Sequence, residues 1–243
     1  DYYASRGLGD VYKRQLLMSG IMVMSCAPQQ KKLVYPETAK VDTVDVYFGT
    51  QVPDPYRWLE NDTSAATTAW VEAQNKVTNE YLSQIPFREN LLKRLTTLAD
   101  YEKISAPIKK HGKYYFSKND GLQNQSVFYV QDSLDGEPRV FLDPNKLSDD
   151  GTVALTGLYF SNDGKYTAYS ISRSGSDWSE IFVMDTESGK LLEDHIEWAK
   201  FTGAAWQGDG FYYSAYDAPA KGKEFSNVNE KHKIYYHKIG EPQ

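Results

Sequence analysis

The sequence predicts a mainly β protein, in which a helical N-terminal segment precedes an incomplete β-propeller of about three blades. Three observations lead to this prediction. Aromatic residues, which favour strands, make up 14% of the chain, and 19 of them are tyrosines. The spacing of apolar residues changes from helical to two-fold at about residue 101. The strands predicted after that point repeat with a period of about 50 residues.

Composition and charge exclude several classes of protein. The 243 residues are 40% hydrophobic and 25% charged, which is ordinary for a globular protein. The net charge is −6 and no basic stripe is present, so nucleic acid is not an expected partner. One cysteine allows neither an internal disulfide nor a zinc–thiolate cluster, and no cofactor is expected.

The N-terminus is predicted to carry a lipid anchor. Residues 1–15 include a stretch that resembles translated sequencing-adapter sequence, so they are left out of the fold prediction. Residues 16–26 are apolar, too short for a membrane-spanning helix and typical of a truncated lipoprotein signal peptide. Residues 23–26 resemble a bacterial lipobox, which predicts lipidation at Cys26, a tether over 27–34 and a location in the cell envelope or periplasm. A buried free cysteine on a short core helix is the alternative.

Two helices are predicted within residues 35–100, after an extended stretch. The first covers 64–82, has Ser64 or Thr63 as a possible N-cap and is stopped by Pro86. The second covers 87–99. Each shows apolar residues on one helical face. These residues are Trp70, Ala73, Val77 and Tyr81 in the first helix, and Leu91, Leu92, Leu95 and Leu98 in the second.

Residues 101–243 contain three copies of one strand pattern. Each copy joins an apolar strand through a glycine turn to an aromatic strand, which is typical of a hairpin. A period of about 50 residues with about four strands per copy indicates propeller blades, and a β-sandwich with accidental spacing is the alternative. The copies occupy residues 111–116, 158–166 and 205–212, and further strands start at Val127, Ile181 and Ile234.

No active site can be recognised from residue chemistry alone. The nucleophile motif Gly-x-Ser-x-Gly is absent, and residues 174–177, the nearest resemblance to it, are predicted to form a turn. His232 and His237 would lie on opposite faces of a strand, so they could not bind one metal ion together. The acidic pair at 149–150 precedes a glycine and is also predicted to form a turn. No catalytic or metal-ligating residue is therefore predicted in this chain.

Several segments resemble the N-terminal part of prolyl oligopeptidases, and the resemblance covers residues 35–243. Residues 52–60 are also similar to oligopeptidase B, which cleaves after basic residues. Residues 121–125 and 147–155 are similar to the proline-specific branch. The segments are 52–60 (Val-Pro-Asp-Pro-Tyr-Arg-Trp-Leu-Glu), 70–75, 121–125 (Gly-Leu-Gln-Asn-Gln), 129–133, 141–145, 147–155 (Leu-Ser-Asp-Asp-Gly-Thr-Val-Ala-Leu) and 174–178.

The resemblance implies a two-part serine peptidase that cleaves short proline-containing peptides after proline. Residues 35–100 would pack on an α/β-hydrolase domain with a Ser-Asp-His triad. Residues 101–243 would form part of a seven-bladed propeller that controls access to the active site. The triad would then lie beyond Gln243, the chain alone would be inactive, and its partner would be its own hydrolase domain.

The resemblance also implies one substrate-binding residue, Phe201. Residues 200–206 are similar to a propeller segment whose phenylalanine reaches the substrate cavity, so Phe201 is expected to form an apolar wall for the peptide. A core aromatic residue of the propeller is the alternative.

Two other functions stay open: an anchored propeller that binds ligands without catalysis, and another peptidase of the same clan. Trp58 and Trp70 would be left exposed in a pure propeller, which favours the peptidase.

Overall fold

The computed structural model describes residues 32–225 and 227–243. The chain divides into two units, Asp1–Pro86 and Phe87–Gln243. The predicted adapter-like segment 1–15, the signal peptide 16–26 with Cys26, and the first part of the tether lie outside the described residues.

The first unit contains a β-hairpin that the sequence did not predict. Strands β1 (Val44–Tyr47) and β2 (Thr50–Pro53) pair antiparallel. Phe48 and Gly49 form the turn between them with φ values of 51° and 84°. The sequence indicated only an extended stretch here, because a phenylalanine rarely adopts a positive φ and gives no signal for a turn.

Helix α1 (Ala65–Ser83) follows a short 3-10 turn over Arg57–Glu60. Ser64 caps it, as predicted: its hydroxyl oxygen accepts a hydrogen bond of 3.1 Å from the backbone N–H of Thr67. The helix ends before Pro86, within one residue of the predicted limit. Three of the four predicted apolar residues are half-buried, and the fourth, Tyr81, is exposed.

Helix α2 (Arg88–Ala99) begins the second unit. Its four leucines share one face, as predicted, and each is slightly more than half exposed. No helix among residues 32–225 and 227–243 is long and apolar enough to cross a membrane.

The first blade is a five-stranded antiparallel sheet. It contains β3 (Lys103–Ile104), β4 (Ile108–Lys110), β5 (Lys113–Asn119), β6 (Val127–Gln131) and β7 (Arg139–Leu142). Both β3 and β4 pair with β5, at its two ends. They therefore act together as one interrupted first strand, and the sheet has the four-strand order of a propeller blade.

The second and third blades are joined in one sheet. The second contains β8 (Val153–Phe160), β9 (Tyr166–Arg173), β10 (Trp178–Asp185) and β11 (Leu191–Lys200), paired in that order.

The third contains β12 (Ala205–Gln207), β13 (Gly210–Ala215) and β14 (Lys233–Lys238). Ala199 of β11 pairs with Ala215 of β13, which links the two blades. Among residues 32–225 and 227–243 the sheets do not close into a ring, and the prediction of about three blades of an incomplete propeller is confirmed.

Two hydrophobic cores lie at the two boundaries between blades. Side chains alternate along each strand, so Tyr169 of β9 packs toward the first blade while Ala168 packs toward the third. The buried members of the first core are Tyr115, Val130, Phe141, Val153, Tyr169, Ile171 and Met184. Those of the second are Ala168, Ile181, Val183, Ile196, Ala199, Ala204, Phe211, Tyr213 and Ala215.

The glycine turns of the first two blades touch each other. Gly164, in the turn between β8 and β9, has a φ of 75°. A Cβ atom added there would lie 2.5 Å from Cγ of His111, which is in the turn between β4 and β5. This contact requires glycine both for its backbone conformation and for the space.

Candidate functional site

A cleft of about 790 Å³ lies between the first and second blades and reaches the start of the third. Its lining includes the first strands β4 and β8, parts of β5 and β6, and Trp206 of β12. In a propeller the blades are arranged around a central channel, so a cleft along the first strands corresponds to one part of a channel wall.

Hydrogen bonds fix this wall across the boundary between the second and third blades. The indole N–H of Trp206 donates to the carbonyl oxygen of Tyr159 over 3.0 Å. The side-chain amide of Asn162 donates to the carbonyl oxygen of Trp206 over 3.2 Å. The two first strands therefore keep a defined spacing along the cleft.

Two hydroxyl groups in the cleft have structural roles. Thr156 donates from its hydroxyl to Ser170 over 2.9 Å, and the hydroxyl of Ser105 accepts from the N–H of Ser117 over 2.9 Å. Among the described lining residues, no hydroxyl is hydrogen-bonded to a histidine. The described residues of the cleft supply no nucleophile–base pair.

Phe201 lies between β11 and β12, three residues before Ala204, which lines the cleft. Its side chain is 73% exposed and its φ is 53°. Among the described residues, Phe201 is therefore not part of either hydrophobic core. An exposed phenylalanine at this position is available for contact with a ligand.

Lys200 connects Phe201 to a second aromatic residue. Its Nζ atom lies 5.4 Å from the centroid of the Phe201 ring and 4.8 Å from that of Trp178. Asp177 supplies a carboxylate oxygen 3.8 Å from the same nitrogen. No sequence pattern marks the role of Lys200, because lysine is common on surfaces and the contact depends on two separate strands.

Trp178 is held in place from several sides. Its ring makes edge-to-face contacts with Trp198 at 5.5 Å and with Tyr216 at 6.1 Å between centroids. Its indole N–H donates to the carbonyl oxygen of Glu224 over 2.8 Å. Trp178 is therefore a fixed platform below Lys200.

A β-bulge in β11 directs Trp198 onto this platform. The pairing of β10 with β11 shifts between Ser179–Ala199 and Ile181–Ile196, which leaves an extra residue in β11. Trp198 lies in this interval with a φ of 56°. Bulges redirect side chains and are frequent near functional sites.

Several residues of the resemblance segments have structural roles. Gln125 donates from Nε2 to the carbonyl oxygen of Val153 over 2.7 Å and accepts at Oε1 from the N–H of Leu155 over 3.0 Å. Asn145 in turn exchanges two hydrogen bonds of 2.9 Å with the backbone of Gln125. Together they attach the first blade to strand β8.

Arg57, in the 52–60 segment, is also structural. It pairs with Asp45 on β1, with Asp54 over 2.8 Å and with Glu60 over 3.4 Å. The hydrogen bond from Arg57 lowers the pKa of Asp54.

The two tryptophans of the first unit secure the chain before the hairpin. The indole N–H of Trp58 donates to the carbonyl oxygen of Ala39, and that of Trp70 to the hydroxyl of Thr38, each over 2.9 Å.

The structure separates the two C-terminal histidines. His237 is buried and shares a hydrogen bond of 2.7 Å with Asp194 of β11, whose Oδ1 also accepts from the N–H of Gly240. The ring of His232 stacks on Tyr216 with centroids 4.4 Å apart. The buried Asp194–His237 pair links β11 to β14, and sequence patterns did not reveal it.

Another polar group lies on the second blade. Glu180 of β10 accepts hydrogen bonds from Arg173 and from Nε2 of His195. Burial acts to raise the pKa of Glu180, but these two hydrogen bonds outweigh it, so the pKa is lowered.

The turns predicted at 174–177 and 149–150 are present. Residues 174–177 connect β9 and β10, and a carboxylate oxygen of Asp150 accepts a hydrogen bond from the N–H of Thr152 over 3.0 Å. In the described part of the chain, no group of three or more His, Cys, Asp or Glu side chains could hold a metal ion.

Comparisons with known proteins agree with this architecture. Residues 36–243 match the profile of the family described as "Prolyl oligopeptidase, N-terminal beta-propeller domain". The chain is 53% identical over 219 residues to a prolyl endopeptidase of Elizabethkingia meningoseptica. It is 34% identical over 237 residues to the dual function macrocyclase-peptidase POPB of Galerina marginata. These alignments cover 89% and 86% of this chain, but 31% and 32% of the relatives.

A solved structure supports the same fold. Prolyl oligopeptidase B from Galerina marginata, bound to a 35mer hydrolysis and macrocyclization substrate, superposes with a TM-score of 0.71 at 33% identity. The match covers 86% of this chain and 33% of that chain. The chain thus spans about a third of the length of the relatives that it matches.

Proposed function

Because this chain belongs to the prolyl oligopeptidase family and matches its N-terminal propeller domain, we propose that it is the propeller part of a serine peptidase that cleaves short peptides after proline. The 53% identity to a prolyl endopeptidase over 89% of the chain is the observation that supports this most strongly. In this proposal the catalytic groups are supplied by a hydrolase domain beyond Gln243.

In this proposal the cleft contributes to the control of access. The first strands of the blades line a passage in which the spacing of β8 and β12 is fixed by Trp206 and Asn162. Such a passage would admit an extended peptide and exclude a folded protein. Catalysis would follow the serine-peptidase scheme, with a serine nucleophile, a histidine base and donors to the oxyanion.

Phe201 would form an apolar wall for the bound peptide. Its 73% exposure supports this role, because the ring is free to contact a ligand. The half-exposed leucines of α2 likewise support packing of this helix on a hydrolase domain.

A lipid anchor at Cys26 is part of the proposal. It would place the enzyme in the cell envelope, with membrane contact only through the lipid. Metabolic labelling with a palmitate analogue should label the protein, and Cys26→Ser should abolish the label; equal labelling of both would contradict the anchor.

The proposed activity is tested on the full-length protein with matched peptides that differ at one residue. A short peptide with an internal proline should be cleaved on the carboxyl side of the proline, and the same peptide with alanine should be a much poorer substrate. Cleavage after arginine or lysine instead would indicate an oligopeptidase B-like enzyme. No cleavage and no reaction with a fluorophosphonate serine reagent would indicate a binding module.

A further inference from the structure

Two bulky residues near the end of β11 adopt a backbone conformation that is costly for them. Trp198 and Phe201 have φ values of 56° and 53°. Left-handed conformations are uncommon for aromatic residues and persist only where the surrounding contacts hold them. Such strained residues occur preferentially at binding sites, so the contacts that hold Phe201 are of functional interest.

The side chain of Lys200 contacts the face of the Phe201 ring. Its side chain is only 12% exposed, although it carries a charge. The ammonium lies over the faces of Trp178 and Phe201, at 4.8 and 5.4 Å from the ring centroids. Attraction between a cation and an aromatic face is stronger when the cation is shielded from water, as it is here.

The other side of this contact is rigid. Trp178 is fixed by Trp198, by Tyr216 and by the hydrogen bond to Glu224. Lys200 therefore joins an exposed ring to an immobilised one, and the Phe201 ring is pre-organised on the surface before any ligand arrives. Pre-organisation improves binding because less conformational entropy is lost on association.

We propose that Lys200 is a positioning residue for peptide binding, which fixes the ring of Phe201 through the Trp178–Lys200–Phe201 stack. The proposal rests on the proposed role of Phe201 as a wall for the peptide. Asp177 balances the charge of the ammonium at 3.8 Å but is itself exposed, so the aromatic contacts are the main restraint on Lys200.

The first test measures the ring itself and needs no activity. 4-Cyanophenylalanine is placed at position 201 of the full-length protein, and the infrared nitrile band is recorded. Lys200→Met should shift and broaden the band, because the cation is lost, while Lys200→Arg should restore it. Lys165→Met is the matched control, since Lys165 lies 4.8 Å from the ring of Tyr166 in another turn. A band that Lys200→Met leaves unchanged would overturn the proposal.

The second test measures cleavage of a short proline-containing peptide. Lys200→Met should raise KM about five-fold with kcat nearly unchanged, as expected for the loss of one cation–π restraint, and Lys200→Arg should retain most of the affinity. In a protein that already carries Phe201→Ala, Lys200→Met should raise KM little further. An equal rise of KM in both backgrounds would show a general structural effect and overturn the proposal. A wild-type protein without proline-specific cleavage would instead overturn the proposed function, and the nitrile band would still decide whether Lys200 fixes the ring.

Discussion

Gln125 satisfies two backbone groups of strand β8 with one side chain. We expect Gln125→Ala to lower the free energy of unfolding by about 1–3 kcal/mol, because the carbonyl of Val153 and the N–H of Leu155 lose their partner. Urea unfolding of the full-length protein measures this change. Gln207→Ala is the control, since Gln207 is exposed and its cost should be close to zero. Equal costs for the two variants would contradict the role of Gln125.

Asp194 and His237 form a buried pair whose side chains are each 2% exposed. Asp194→Ala leaves both the imidazole and the N–H of Gly240 without a partner, so we expect a loss of about 3–5 kcal/mol. Asp217→Ala removes the exposed ion pair with Lys233 and should cost much less, because solvent screens this pair. Thermal or urea unfolding of both variants checks the difference, and a small loss for Asp194→Ala would mean that the link between β11 and β14 is unimportant.

At the scale of elements, two contributions to the stability of the glycine turns can be measured separately: the contact between the turns of the first two blades, and the strain of the backbone. Gly164 and Gly175 have nearly the same φ, 75° and 74°, but only Gly164 has a neighbour, His111, in the way of a Cβ atom. In both variants alanine must adopt the left-handed conformation, which costs about 1–2 kcal/mol of folding free energy. We expect Gly164→Ala to be clearly more destabilising in urea unfolding. Equal losses would show that the His111 contact adjusts freely.

The packing of β10 against its neighbours should depend on pH through Glu180. Its pKa in the folded protein is below the ordinary value of 4.5, so the stabilisation is present above that value and is lost as the pH falls through the lowered folded pKa. Glu180→Gln should therefore destabilise the protein at about pH 7, and this cost should disappear at strongly acidic pH. Unfolding measured across the range tests this; a cost independent of pH would contradict it.

Elements with a local signal could be predicted from the sequence. The apolar period of α1 and the hydroxyl of Ser64 are both encoded within one turn of the helix, and the glycine turns mark the hairpins of each blade. The turn at Phe48–Gly49 was missed because its conformation is unusual for phenylalanine. The candidate site was predicted only at Phe201, since Lys200, Trp178 and Trp198 meet through strand pairing and a bulge that no local pattern shows.

At the scale of the whole molecule, the blades are stabilised by packing against one another. The two cores lie between blades rather than within them, and Gln125, Asn162 and Asp194 each make hydrogen bonds across a boundary. This arrangement follows from the alternation of side chains along the strands, which the two-fold period already predicted. The period of about 50 residues predicted the number of blades, because each blade is one repeat of the sequence pattern.

The central claim is that these blades belong to a proline-specific serine peptidase. The DNA that follows the codon of Gln243 in the source sequence tests it most directly. The account predicts an open reading frame that completes the propeller and then encodes Gly-x-Ser-x-Gly, followed in order by an aspartate and a histidine of an α/β-hydrolase domain. A reading frame that closes the propeller and ends without this domain would contradict it.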